Sequence, residues 1–119
     1  MDDPLAKFGP IWGASGVQGF FGEGYSTHKY LKPLGLDFNG LTFVAKTTTL
    51  FANKGNMPMK ADGITPLETM PNCVYVSPRS WLHGSALNAV GLSGPGIDFL
   101  IEKGEWQKRT KPFFISIMP

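Results

Sequence analysis

Lys46 lies near the end of Leu41–Leu50, a β-branched and apolar run with almost no turn former inside it. A lysine at the mouth of a buried strand has three ways out. It reaches water along its apolar stem, it meets an anion, or it gives up its charge. Two readings follow. In one, Lys46 is a strand-end residue that snorkels to solvent. In the other, it sits at the C-terminal end of a parallel strand and points at a bound anion or an electron-rich ring, at the sheet edge where α/β folds bind ligands. Two further stretches could share a site with it. Ala14-Ser15-Gly16 is a floor of small residues on which a flat ligand can lie against the backbone, or simply a strand end and a turn. Asn88 opens Asn88-Ala89-Val90-Gly91-Leu92-Ser93-Gly94-Pro95-Gly96, where three glycines allow close backbone approach and the asparagine supplies both donors and acceptors. The plain reading of that stretch is a loop leading into a helix.

These residues need elements to hold them. Ile11–Ala14 reads as a short strand, and Val17–Gly24, rich in Gly and Phe, as loop. Gly19, Gly22 and Gly24 lack the strand-to-helix frame of a phosphate-binding fingerprint. Ser26 or Thr27 is a candidate cap for a helix running to Leu31 or Leu34, closed by Gly35. His28 falls on it with no partner nearby in sequence and is given no role. Asp37–Gly40 reads as a turn before the Lys46 strand, and Phe51–Pro71 as a long irregular excursion, a type of segment that often carries function. Cys73–Val76 is a second short β piece, one arm of a hairpin, and Cys73 reads as packing. Apolar spacing at Ile97, Leu100 and Ile101 predicts a helix over Ile97–Gln107. Phe113–Met118 is a continuous apolar run of the kind buried on both faces of a sheet. The resulting order is βαβαβ, an α/β fold with a parallel sheet. Ile11–Ala14, Leu41–Thr48 and Phe113–Met118 are expected to be parallel neighbours.

Composition narrows the classes. The chain has 119 residues, 42% of them hydrophobic and 17% charged, enough for one modest domain with a core. A net charge of +2, with no basic run beyond the Lys108, Arg109, Lys111 cluster, speaks against nucleic acid. That cluster reads as a solvated helix end. The single cysteine excludes an internal disulfide framework and suits a reducing compartment. No apolar run is long enough to span a bilayer, and the acidic Met-Asp-Asp-Pro start does not read as a signal peptide. The expectation is a cytoplasmic protein with no membrane partner. No metal-ligating set is assigned.

Five pieces occur in order. They are Ala14-Ser15-Gly16, Ala45-Lys46-Thr47-Thr48-Thr49, Gly55-Asn56, Asn88-Ala89-Val90-Gly91-Leu92, and Pro112-Phe113-Phe114-Ile115-Ser116-Ile117. In order and approximate spacing the chain resembles dihydroorotate dehydrogenases, the soluble class 1 branch and its relatives, from about Phe8 to the end. The resemblance implies the N-terminal portion, through about the third strand, of a (β/α)8 TIM barrel with parallel strands and an inserted irregular loop or hairpin. Residues 1–119 would then be a partial barrel domain, incomplete at the C-terminus. It also implies FMN as cofactor, oxidation of dihydroorotate or a related dihydropyrimidine as the reaction, and a homodimer for the complete protein. By the resemblance, Ala14, Ser15, Gly16, Lys46 and Thr47 contact the flavin. Lys46, Asn88, Val90, Gly91 and Leu92 contact the small-molecule substrate, and Lys46 is the catalytic residue. The catalytic base is expected beyond Pro119. The family often has Met before Gly-Leu and then Pro-Asn, where this chain has Val90 and then Ser93-Gly94. It often has an arginine after Gly-Asn, where Lys60 is the nearest basic residue here, and the excursion over residues 61–86 is longer. The competing expectation is a non-catalytic fragment, or a small α/β module that binds an anion or a partner chain.

Overall fold

The structure is a computed structural model that describes residues 2–77, 79 and 84–119. Its central strand, β1, is Val44–Thr49, one valine and three threonines in six residues, types whose branched side chains suit a pleated surface. Three further strands follow: β2 (Val74–Val76), β3 (Ala86–Asn88) and β4 (Phe114–Met118). β1 and β4 pair in parallel. On the other side of β1, Trp12 and Thr42 form a parallel bridge: the Thr42 amide donates to the Ile11 carbonyl at 2.9 Å and the Gly13 amide to the Thr42 carbonyl at 3.0 Å. The Lys46 amide continues that side by donating to the Gly19 carbonyl at 2.9 Å. The Phe43 carbonyl faces the opposite way and accepts from Phe114. The three expected neighbours therefore stand in the order first segment, β1, β4. The first segment makes only that bridge and no regular strand, since Gly13, Gly16 and Gly19 interrupt it and glycine weakens a strand interior.

Helix α1 spans Ser26–Leu31, continues as a 3-10 turn to Leu34, and ends at Gly35 in the left-handed region. Its N-cap is Tyr25, not Ser26 or Thr27. His28 completes the cap, with Nδ1 accepting the Tyr25 amide at 3.1 Å. Helix α2 spans Ile97–Glu102 and is shorter than its apolar spacing predicts. Gly104, at φ 71°, breaks it, and a separate 3-10 turn over Trp106–Lys108 carries the tryptophan inward. The core joins Phe20, Phe43, Ala45, Leu100 and Trp106, and the Trp106 indole N–H donates to the Phe20 carbonyl at 2.7 Å. Arg109 is exposed at the end of the Trp106–Lys108 turn, as expected of a solvated helix end, and it also packs on the core's rim. Its guanidinium lies 4.1 Å from the centroid of Phe43 and 5.3 Å from that of Phe113, and it donates to the Phe21 carbonyl.

β2 and β3 form the antiparallel hairpin expected from Cys73–Val76, with Val74 opposite Asn88 and Tyr75 opposite Leu87. β4 departs from expectation. Its run is apolar, but Ile117 is 65% exposed, because among the described residues β4 pairs on one side only. No helix among the described residues is long and apolar enough to cross a membrane.

Candidate functional site

The register of β1 against β4 shifts inside the lysine motif. Ala45 pairs with Ile115 and Thr48 with Ile117, so Lys46 and Thr47 together stand opposite Ser116 alone. That extra residue is a bulge, a device that re-aims side chains and is frequent beside active sites. In a regular strand, consecutive side chains point to opposite faces. Here Lys46 and Thr47 both line one cleft. The Thr47 hydroxyl is 2.8 Å from that of Ser116 and donates to that of Ser15 at 3.2 Å, tying the three parallel segments together at the site.

The cleft has a volume of about 930 Å³. Of the residues singled out from sequence, Ser15, Gly16, Lys46, Thr47, Asn88, Val90, Gly91 and Leu92 all line it. Ala14 does not. It sits just behind, with its carbonyl accepting the Val17 amide. Gly16, at φ 88°, adopts a conformation that side-chain-bearing residues rarely take, and a Cβ there would lie 3.9 Å from Lys46 Cγ, over the lysine stem. The excursion supplies the facing wall through Lys60 and Thr65–Pro71, and α1 supplies Thr27 and Lys29. A hydrogen bond of 3.1 Å from the Ser26 hydroxyl to the Thr69 hydroxyl joins those two walls. The sequence marks the excursion as a segment that often carries function, but which of its residues reach the cleft depends on the long-range folding of an irregular segment.

Lys46 is only 7% exposed. Its ammonium donates to the Ser93 carbonyl and lies 4.8 Å from the centroid of the Phe20 ring. No carboxylate pairs with it among the described residues, where the one ion pair is Lys108 with Glu105. Burial pushes its pKa below the usual lysine value. An ammonium has three donors, and the carbonyl takes one. The lysine therefore neither snorkels freely nor finds a protein anion. An anionic or electron-rich ligand in the cleft would offset its desolvation.

Tyr25 also lines the cleft, and its phenol is pushed up to about 12 by burial and then by the Glu23 carboxylate, so it stays protonated. Cys73 is half-buried at the foot of the hairpin, outside the cleft lining, with its carbonyl accepting the Ala89 amide. Among the described residues no group of three or more His, Cys, Asp or Glu is placed to hold a metal ion.

The loop over residues 88–94 is held against the excursion by a dense set of bonds. Asn53 and Gly94 bond to each other in both directions at 2.9 Å, and the Asn56 amide donates to the Val90 carbonyl at 2.8 Å. Ser93, fully buried, accepts the Met57 amide on its hydroxyl. Gly55 is the contact point. A Cβ there would meet Ser93 Oγ at 2.2 Å and the carbonyls of Val90 and Gly91 at 2.7 Å. No protein-family model, curated protein or solved structure matches the chain.

Proposed function

We propose that this chain is the N-terminal part of an FMN-dependent oxidoreductase of the dihydroorotate dehydrogenase type, acting on dihydroorotate or a related dihydropyrimidine. The observation that carries the reading is a buried lysine without a carboxylate, opening on the cleft that gathers Ser15, Gly16, Thr47, Asn88, Val90, Gly91 and Leu92. The parallel order of first segment, β1 and β4 supports a (β/α)8 barrel whose first strands these are. The complete protein would be a cytoplasmic homodimer.

The residues fit a flavin and an acidic substrate. Gly16 leaves the lysine stem uncovered, and Ser15 and Thr47 present hydroxyls beside it. Bound FMN would supply the hydride acceptor. Lys46 would hold a fixed positive charge where negative charge builds on the ring and would attract the substrate's carboxylate. Asn88 would orient the pyrimidine through its amide, and the loop backbone at Val90–Leu92 would bind substrate oxygens. No residue of these 119 is given the role of proton-abstracting base.

The test is on the full-length protein. It is expected to purify with, or take up, one FMN per chain and to show flavin bleaching when mixed anaerobically with dihydroorotate. A folded full-length protein that takes up no FMN would end the flavin reading and leave an anion-binding module in its place.

A further inference from the structure

The loop after Asn88 has its carbonyls and its amides sorted onto opposite sides. The Ala89 carbonyl accepts from Asn56 Nδ2 at 2.8 Å, and the Val90 carbonyl accepts from the Asn56 amide at 2.8 Å. Asn53 Nδ2 then takes two carbonyls at once, Gly91 at 2.9 Å and Leu92 at 3.3 Å. The Ser93 carbonyl goes to Lys46. Five consecutive carbonyls are thus occupied. The amides of Gly91 and Leu92, by contrast, donate to nothing among the described residues. Both residues have positive φ, 71° at Gly91 and 57° at Leu92, and the second is a rare conformation for a residue with a side chain.

The direction of those amides follows from the peptide bond. No peptide here is cis, and in a trans peptide the N–H points opposite to the C=O it shares a plane with. The Gly91 N–H opposes the Val90 carbonyl, and the Leu92 N–H opposes the Gly91 carbonyl. Both carbonyls are turned toward the 53–56 segment. Asn53 and Asn56 do not line the main cleft, whereas Gly91 and Leu92 do. The two amides are therefore turned to the cleft side, next to the loop position that Lys46 pins.

We propose that Asn53 is a positioning residue: by holding the Gly91 carbonyl it keeps the Leu92 N–H of the same peptide aimed, beside the Gly91 N–H that the Asn56 amide fixes through the Val90 carbonyl, at an acidic oxygen of the ligand. Asn53 itself is exposed, outside the cleft, and touches no ligand. Its own backbone is fixed by the paired bonds to Gly94, so its side chain is placed before any ligand arrives. An alanine there frees the Gly91 and Leu92 carbonyls to turn toward water and lets the Leu92 amide swing with the first of them. An aspartate is worse, since a carboxylate cannot donate and would face both carbonyl oxygens. The choice of dihydroorotate or orotate as probe rests on the function proposed above. The sorting of amides and carbonyls does not.

The experiment uses the full-length protein labelled with carbonyl-¹³C valine and ¹⁵N glycine. Val90-Gly91 is the single Val-Gly step among these 119 residues, and the resonance lost in Val90→Ile identifies the Gly91 amide in the full-length protein. Orotate and, separately, acetate are titrated while that amide and the flavin absorption are read. The expected result is a saturable shift of the Gly91 amide with orotate in the wild type. In Asn53→Ala the orotate Kd should rise about tenfold, the scale of one lost hydrogen-bonding anchor, and in Asn53→Asp by more, with flavin content unchanged. Wild-type Kd in a folded Asn53→Ala protein overturns the proposal. So does a wild-type Gly91 amide that responds to neither carboxylate. A Gly91 amide that responds to acetate in an Asn53-dependent way, in a protein that binds no flavin and prefers no orotate, supports the positioning role and overturns only the flavin reading.

Discussion

The ammonium of Lys46 donates to the backbone carbonyl of Ser93, 47 positions later in the chain. One bond thus joins the central strand to the loop that lines the cleft, and it does so beside a bulge that turns both Lys46 and Thr47 into the same cleft. The lysine is at once a candidate catalytic charge and a clamp on the loop; flavin reduction reads the first role and unfolding the second.

Lys46→Met keeps most of the apolar stem and removes the charge. Flavin reduction in the full-length protein should slow by about 10²-fold or more, the scale for one preorganised electrostatic donor. Stability should change little, because relief of the buried charge offsets the unmade bond to Ser93. Stopped-flow reduction, flavin content and urea unfolding of the same variant measure these effects. Wild-type reduction in a flavin-loaded Lys46→Met protein would return the lysine to a purely structural role.

Gly55→Ala should destabilise the fold by about 2 kcal/mol or more, since its Cβ would collide with Ser93 Oγ and two carbonyls in a left-handed backbone at φ 54°. Gly104→Ala is the control, at φ 71° with nothing within 4 Å, and should cost about 1 kcal/mol from backbone conformation alone. Thermal unfolding of the pair separates packing from conformation. Equal costs would mean that the excursion yields to the new methyl.

His28 gives the fold a pH dependence. Burial, and then the Lys32 charge, lower its pKa below the usual histidine value, and its Nδ1 accepts the Tyr25 amide only while unprotonated. A depressed histidine contributes stability that is fully present above its unfolded pKa of about 6.5. That contribution is lost as pH falls through the lower folded value, because the unfolded chain binds the proton first. The melting temperature of wild type should therefore fall more steeply than that of His28→Ala as the pH is lowered from neutrality. Parallel curves would show that the cap contributes nothing.

Arg109→Ala should lower stability by about 1 kcal/mol, through loss of the guanidinium over Phe43 and Phe113 and of its bond to the Phe21 carbonyl. Arg109→Lys should recover only part of this, since an ammonium lacks the planar stacking face. Chemical unfolding of the three proteins tests it, and full recovery by lysine would assign the effect to charge alone.

Local pattern in the sequence determined the β1 and β4 strands, the β2–β3 hairpin, the helix ending at Gly35 and the small residues at Ser15-Gly16, and the alternation of elements pointed to parallel neighbours, of which Ile11–Ala14 proved to be a single bridge. Periodicity, turn residues and β-branching act over a few neighbours, and those neighbours are written side by side. The three-dimensional fold alone decided the rest. The bulge at Lys46 and Thr47 depends on how β1 meets β4, 69 residues away at the Thr47–Ser116 contact. Gly104 ends α2, and where Trp106 then enters the core is something that apolar spacing cannot report. Asn53 looked like one polar residue in an irregular run. It became an anchor only when the chain returned 38 positions later to present the Gly91 carbonyl. Bonds of that kind have no local signature, because each partner's own neighbours are compatible with many arrangements and only the closed fold selects one.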